Sequence, residues 1–464
     1  MMAVDNEALE SDSLWTRVRY IIMYYALYLT GVFTLLVIIA EPFAMTTYFS
    51  DNSLLPGLAN REFSLVTEAE YYLKSLEKIV KQQSSSDDLA FATRPQLISF
   101  IANELDNFGL EVHQQAFSYN TVENQQLNGT NIYSIIRGER STSSESIALC
   151  APLKKDLKGN TLPSIALALS LAKYFSGKSY WAKDVIILFV DRAEFGVSAW
   201  LDSYYDIRLR TDMKRVSANK ETIYYDSLPE RSGPMQAAIV VESMSSQFSR
   251  INIKLQGAYG QLPNLDLFNL VVEMSARESI TPYFHDKSLP YGIDSDLELY
   301  KHNFETSLSF IKNQASMMAD GLHGHFLRYS IQSLTIEAPK YEKSDGNVFL
   351  ASLLNLGRLV EGVFRSLNNL TERFNRSYYF YILISLRRFT SIGYYMIGFA
   401  LIVSPLLLKA YRIHQKQSKL GKLFIGYRGV LLLVSALSLS FISTFNISSA
   451  LVASIPIVPI LILI

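Results

Sequence analysis

A single cysteine, Cys150, occurs in this chain of 464 residues, which excludes an intrachain disulfide and any metal site built on paired thiolates. It lies in the apolar run 146–151. There it reads as a small buried hydrophobe, an interchain disulfide being the alternative. Nothing in the sequence sets a histidine beside it, so a cysteine nucleophile is not expected. Histidine is scarce too, with six residues, and neither sign of charge is in excess: Lys and Arg number 43, as do Asp and Glu. No global field recruits nucleic acid. Apolar residues are abundant instead, at 49% of the chain, with a mean hydropathy of +0.13. That is high for a wholly soluble protein of this length.

The excess is concentrated in blocks. Residues 20–40 carry no charge over 21 positions, with Arg17 and Arg19 before them and Glu41 and Pro42 after. At 1.5 Å per residue such a helix is about 31 Å long, enough to cross a bilayer. It is too long for a signal-peptide core and is read as a retained anchor. The two arginines place residues 1–19 in the cytosol. Residues 389–408, 423–445 and 447–464 are expected to be three further crossings. The connection 409–422 holds Lys409, Arg412, Lys416, Lys419 and Lys422, so it is expected to be cytosolic. The chain stops on Ile462, Leu463 and Ile464 without a polar tail, as a truncated last crossing would. Between the first two crossings lies a domain at 41–348, followed by an amphipathic helix and juxtamembrane segment at 349–388. Both are expected to be lumenal.

Within 41–348 the periodicity alternates. Residues 66–81 and 94–108 have helical spacing, the second closed by Gly109. Residues 131–137, 146–151, 185–190, 237–241 and 333–336 read as strands, and 162–175 as a helix. The rhythm predicts an α/β sheet flanked by helices. The run 185–190 is short, apolar and rich in β-branched residues, as a strand buried on both faces should be. Asp191, Arg192, Ala193 and Glu194 follow at its carboxyl end, where open α/β sheets place their chemistry. Acceptor triplets at Asn128, Asn369 and Asn375 make these candidate glycosylation sites if the segment is lumenal. Asn446 heads a fourth triplet, expected to lie too close to lipid for use.

The domain resembles the co-catalytic zinc aminopeptidases in element order, down to a strand ending at Ala193, Glu194, Phe195 and Gly196. That resemblance implies two zinc ions on His, Asp and Glu ligands, with a neighbouring Glu activating water. The matching positions here depart from the pattern. Residues 149–154 hold neither His nor Asp, 159–164 hold no carboxylate, and alanine stands at the general-base position 193. Glu194, Glu242 and His323 remain as vestigial candidates, and the expectation is no metal, no cofactor and no catalytic residue.

Four segments carry a closer resemblance: 48–57, 260–270, 323–329 and 388–393. In the same order they are similar to the GPI-anchor attachment proteins of the glycosylphosphatidylinositol transamidase. This resemblance implies a non-catalytic, multi-pass subunit of the endoplasmic-reticulum membrane. Its implied partners are the other subunits, including a cysteine-protease-like catalytic one, together with GPI lipid and proprotein. The alternatives are a membrane-anchored metal-dependent peptidase or peptide synthetase, and a pure scaffold. Residues 260–270 combine a turn with apolar side chains, and Leu265 and Phe268 are candidates for docking a partner, a buried helix start being the competing reading.

Overall fold

Runs of residues buried on both faces set the centre of the sheet. The computed structural model describes the chain apart from residues 1–13, 41–42, 59–60, 83–93, 121–125, 140–143, 154–160, 207–213, 217–221, 286, 289–294, 342–349, 371, 375–378, 420–426 and 464. Helix α1 (Leu14–Ile38) leads into the two-residue strand β1 (Met45–Thr46). Then come α2 (Val66–Gln82), α3 (Arg94–Asn107), β2 (Val112–Asn120), β3 (Gln126–Ile136) and β4 (Ser146–Pro152). The middle of the domain holds α4 (Leu162–Ser176), β5 (Asp184–Val190), α5 (Glu194–Tyr204), β6 (Lys214–Val216), β7 (Thr222–Tyr225) and β8 (Met235–Ser243). It continues with β9 (Gln247–Phe248), β10 (Arg250–Lys254), α6 (Leu265–Arg277), β11 (Thr281–Tyr283), α7 (Asp296–Ala315), α8 (His323–Arg328) and β12 (Gln332–Ala338). The last part is β13 (Ala351–Ser352), α9 (Leu353–Asn368), β14 (Tyr381–Ser385), β15 (Arg388–Ser391), α10 (Ile392–Lys419), α11 (Tyr427–Phe445) and α12 (Ile447–Leu463).

Ten strands form one mixed sheet in the order β11-β10-β12-β8-β4-β5-β3-β2-β7-β6. Its centre, β12-β8-β4-β5, is parallel, while β3 pairs antiparallel with β5 and β10 antiparallel with β12. Every residue of β4 and of β5 is buried, as strands covered on both faces require. One face packs against α2, α3, α4, α6 and α9, the other against α5 and α8. Helix α4 is apolar almost all round because it is enclosed, with thirteen of its residues buried.

Near the apolar helices the chain differs from the sequence reading. The amphipathic helix expected within 349–388 runs from Leu353 to Asn368. The expected crossing at 389–408 begins instead at Ile392, because residues 388–391 form a strand. Met45 pairs with Phe389 and Thr46 with Arg388, and β14 closes a three-stranded sheet on the other side. A local apolar count cannot register a partner so far away in sequence.

Among the described residues, three helices are long and apolar enough to cross a membrane: Trp15–Ile38, Ile392–Gln415 and Tyr427–Phe445, at mean hydropathies of 2.1, 1.6 and 1.7. Helices α1 and α10 approach closely through two glycines. A Cβ on Gly31 would stand 2.8 Å from Ile402 Cγ1, and one on Gly398 2.7 Å from Leu35 Cγ. Close backbone approach through small residues is how helices pack where lipid removes the hydrophobic drive. Helix α12 is apolar but shorter, at 17 residues, with Pro456 and Pro459 inside it. Pro459 has no N–H to give to the carbonyl four residues back. That carbonyl, on Ile455, accepts from Tyr28 Oη at 3.0 Å instead. The carbonyls of Leu461 and Ile462 accept from Lys409 Nζ, each at 3.0 Å. Backbone groups left open by proline and by a helix end thus find side-chain donors, as burial demands.

Candidate functional site: a buried charge cluster and a cavity at the junction

The loop after β5, where the sequence places the first candidate site, is closed. Asp191 is buried and accepts from the backbone N–H groups of Thr130 and Arg192 at 3.3 and 2.8 Å. Arg94 Nη1 lies 3.5 Å from its carboxylate. Asn131 Oδ1 accepts from the Asp191 N–H at 3.1 Å, and Asn131 Nδ2 donates to Gly196 O at 2.9 Å. These contacts knot the strand end to β3 and bury the Asp191 carboxylate. Glu194 is exposed and stands apart from the other two vestigial candidates.

Glu242 and His323 are brought together, around a cation the sequence reading did not single out. Parallel pairing of β8 with β12 sets Glu242 beside Glu337, and β10 supplies Lys254 opposite Thr335. Lys254 Nζ lies 2.8 Å from Glu337 Oε1 and 3.6 Å from Glu242 Oε2. Above them the start of α8 contributes His323, whose Nδ1 is 2.9 Å from Thr335 Oγ1 and whose Nε2 is 3.3 Å from Asp320 Oδ1. The cluster therefore gathers three carboxylates, one ammonium and one fully buried imidazole. Burial works to lower the Lys254 pKa, but Glu242 and Glu337 outweigh it and hold it above the usual value. Burial drives the Asp320 carboxyl up to about 7, with Lys254 pulling the other way. A quarter of the Asp320 side chain meets solvent, yet its Oδ1 is enclosed. Burial pushes His323 down to about 3, backbone hydrogen bonds resisting and Lys254 adding to it.

The ammonium occupies the centre of these carboxylates, which is the place a divalent cation would need. A second trio, Glu111, His113 and Glu230, brings ligand atoms within 4.8 Å of one another. Arg137 already binds Glu230, and Glu111 is largely exposed. The Arg137 hydrogen bond is the main reason the Glu230 carboxyl is held below its usual range.

These shifts predict a pH profile. Folded His323 refuses a proton that the unfolded chain takes up below about 6.5, so stability is present above that pH and is lost on acidification toward 3. Asp320 works in the opposite sense, its contribution being full below about 4 and lost as pH rises through 7. His323→Gln should flatten the acid limb of a melting-temperature profile by about one proton's slope. Asp320→Asn should flatten the loss between pH 4 and 7.

The second feature is a cavity of about 1040 Å³ between the α/β domain and the apolar helices. Gln236, Gln261, Gln332, Tyr205 and Tyr329 line its domain side, with Glu145 and Arg373 adding one charge of each sign. Ile392, Tyr395 and Met396 from the first turns of α10, and Phe445 and Ile447 at the α11–α12 junction, form the apolar side. Amides and hydroxyls thus face an apolar wall across one space.

The candidates at 260–270 are corrected in part. Leu265 and Phe268 are fully buried in α6, so the competing reading holds and they form core, not a docking ledge. The reason is the turn before them: Asn264 caps α6 through Asp266 N at 2.8 Å, and Asp266 binds Ser50 and Asp51. The turn itself, at Gly260, Gln261 and Leu262, lines the cavity. Among the acceptor triplets, Asn128 on β3 and Asn369 at the end of α9 are exposed, while Asn375 lies outside the described residues. Asn446 is buried, its Nδ2 donating to Gln314 O at 2.7 Å.

Fold and site together define a mixed α/β domain carried on helices apolar enough to cross a membrane, with a lysine at the centre of its carboxylate cluster. Residues 128–424 match the model of the family described as Gaa1-like, GPI transamidase component, and the chain belongs to that family. It is 28% identical over 383 residues to the GPI transamidase component gaa1 of Schizosaccharomyces pombe, across 81% of this chain and 62% of that one. To the GPI transamidase component GAA1 of Saccharomyces cerevisiae it is 27% identical over 358 residues, across 75% and 50%. The chain thus spans about half to three fifths of the length of these relatives. Among solved structures, it is similar to a Fimbriiglobus ruber glutaminyl cyclase at a TM-score of 0.41 and 12% identity, covering 69% of this chain and 98% of the other. It is also similar to a Bacteroides thetaiotaomicron leucine aminopeptidase precursor at 0.38 and 14%, covering 66% and 98%.

Proposed function

We infer that this chain is a non-catalytic subunit of a GPI transamidase in the endoplasmic-reticulum membrane, its α/β domain lumenal. It holds GPI lipid, with the proprotein near it, for a cysteine-protease-like subunit that carries out the acyl transfer. The junction cavity carries this reading. Its amide and hydroxyl wall suits a glycan head, and its apolar wall continues into the helices along which acyl chains would lie. A non-catalytic role is supported by Lys254 among the carboxylates and Ala193 at the strand end, which offer neither a metal set nor a base. Arg17 and Arg19 in the first turns of α1, and Lys409, Arg412, Lys416 and Lys419 toward the end of α10, support the lumenal orientation.

Purification of the full chain in mild detergent tests the assignment. The expected result is co-purification of a subunit bearing a reactive cysteine, with no stoichiometric zinc by elemental analysis. A chain isolated alone that carries two zinc equivalents and cleaves aminoacyl substrates would overturn it.

A further inference from the structure

We propose that two turns of the α/β domain, at 257–261 and 316–319, sit in the interfacial layer of the bilayer, with Tyr259, Met317 and Met318 among the lipid headgroups. The observations are independent of the cavity's occupant. Both turns are uncharged: no Asp, Glu, Lys or Arg lies between Lys254 and Asp266 or between Lys312 and Asp320. Tyr259 is 67% exposed, Met318 76% and Met317 43%. Scattered single hydrophobics on a surface are ordinary. Here, however, three cluster in turns bonded to each other, the Tyr259 N–H donating to Met317 O at 2.9 Å.

Tyr259 and Met317 also hold left-handed backbone, at φ of 60° and 59°. That conformation is strained for a residue with a Cβ and is native to glycine. Strain kept at bulky apolar side chains on a surface points to something that rewards those side chains.

The level of the turns is set by the apolar helices. Gly260 lies against Asn446, where a Cβ would stand 2.3 Å from Nδ2. Gln314 Nε2 donates to Gly260 O at 2.9 Å, and Gln314 Oε1 accepts from Ser448 Oγ at 2.6 Å. Asn446 and Ser448 are at the turn between α11 and α12, where exposed Phe445 ends the apolar face. Side chains flanking that turn are held at the depth where tyrosine belts form.

The test is spin labelling of the full chain, alone, in phosphatidylcholine vesicles. Cys150 is fully buried and its thiol is pushed up by burial, so it stays silent. Met318→Cys and Tyr259→Cys carry the label, with Tyr71→Cys on α2, 62% exposed, as the reference in water. Relaxation by oxygen over relaxation by a nickel chelate should be several-fold higher at the first two positions. Equal ratios at all three would overturn the proposal. So would protection that arises only when other subunits are added, since that would assign the patch to a protein partner.

Discussion

Lys254→Met is expected to lower the stability of the α/β domain by about 3–5 kcal/mol, the cost of leaving a buried charge pair without one partner. The ammonium sits within 3.6 Å of Glu242 and 2.8 Å of Glu337, whose side chains are 2% and 13% exposed. Methionine fills much of the same volume, so the lost term is charge rather than packing. The loss should shrink on acidification, because protonated carboxyls no longer need the cation. A Lys254→Met, Glu242→Gln double variant should recover part of it, with a coupling of about 0.5–3 kcal/mol in the cycle. Melting in nanodiscs across pH 5 to 8 reads both. A pH-independent loss would assign Lys254 a packing role only.

Glu361→Ala is the other large effect expected. Glu361 is fully buried on α9 and holds three elements together. Its Oε2 accepts from the Glu62 and Phe63 N–H groups, both at 2.8 Å, and its Oε1 from Tyr174 Oη at 2.7 Å. Alanine leaves those donors without an acceptor, at about 1–3 kcal/mol for each one that water cannot reach. A total of about 3–5 kcal/mol is a large share of a domain's stability, so steady-state abundance should drop several-fold. Glu361→Gln keeps the shape and one acceptor, and should cost less. Equal abundance of wild type and Glu361→Ala would show that water replaces the carboxylate.

Legibility in the sequence followed locality. Strands β4 and β5 and helices α2, α3 and α4 stood out because burial on one or two faces writes itself into consecutive residues. Strand β10 did not, since only Ile251 and Ile253 of its five residues are buried. Helix α7 has few apolar positions and a polar surface, which left its periodicity faint. In sequence, strand β15 merges with the apolar helix that follows, because its partner β1 lies at the other end of the domain. The same reason divides the site. Glu242 and His323 were visible one by one through resemblance, but Lys254, Asp320 and Glu337 meet them only through sheet register. The cavity is a product of packing between the domain and the apolar helices, and no local run announces it.

The most direct measurement of the central claim is photo-crosslinking of a GPI analogue, bearing its reactive group next to the glycan, to the full chain in the assembled complex. Crosslinks should fall on the cavity wall around Gln261, Gln332 and Tyr395. Leu262→Trp, which places an indole into that space, should cut them at least tenfold while the other subunits still co-purify. Undiminished crosslinking in that variant, or adducts confined to other surfaces, would contradict the account.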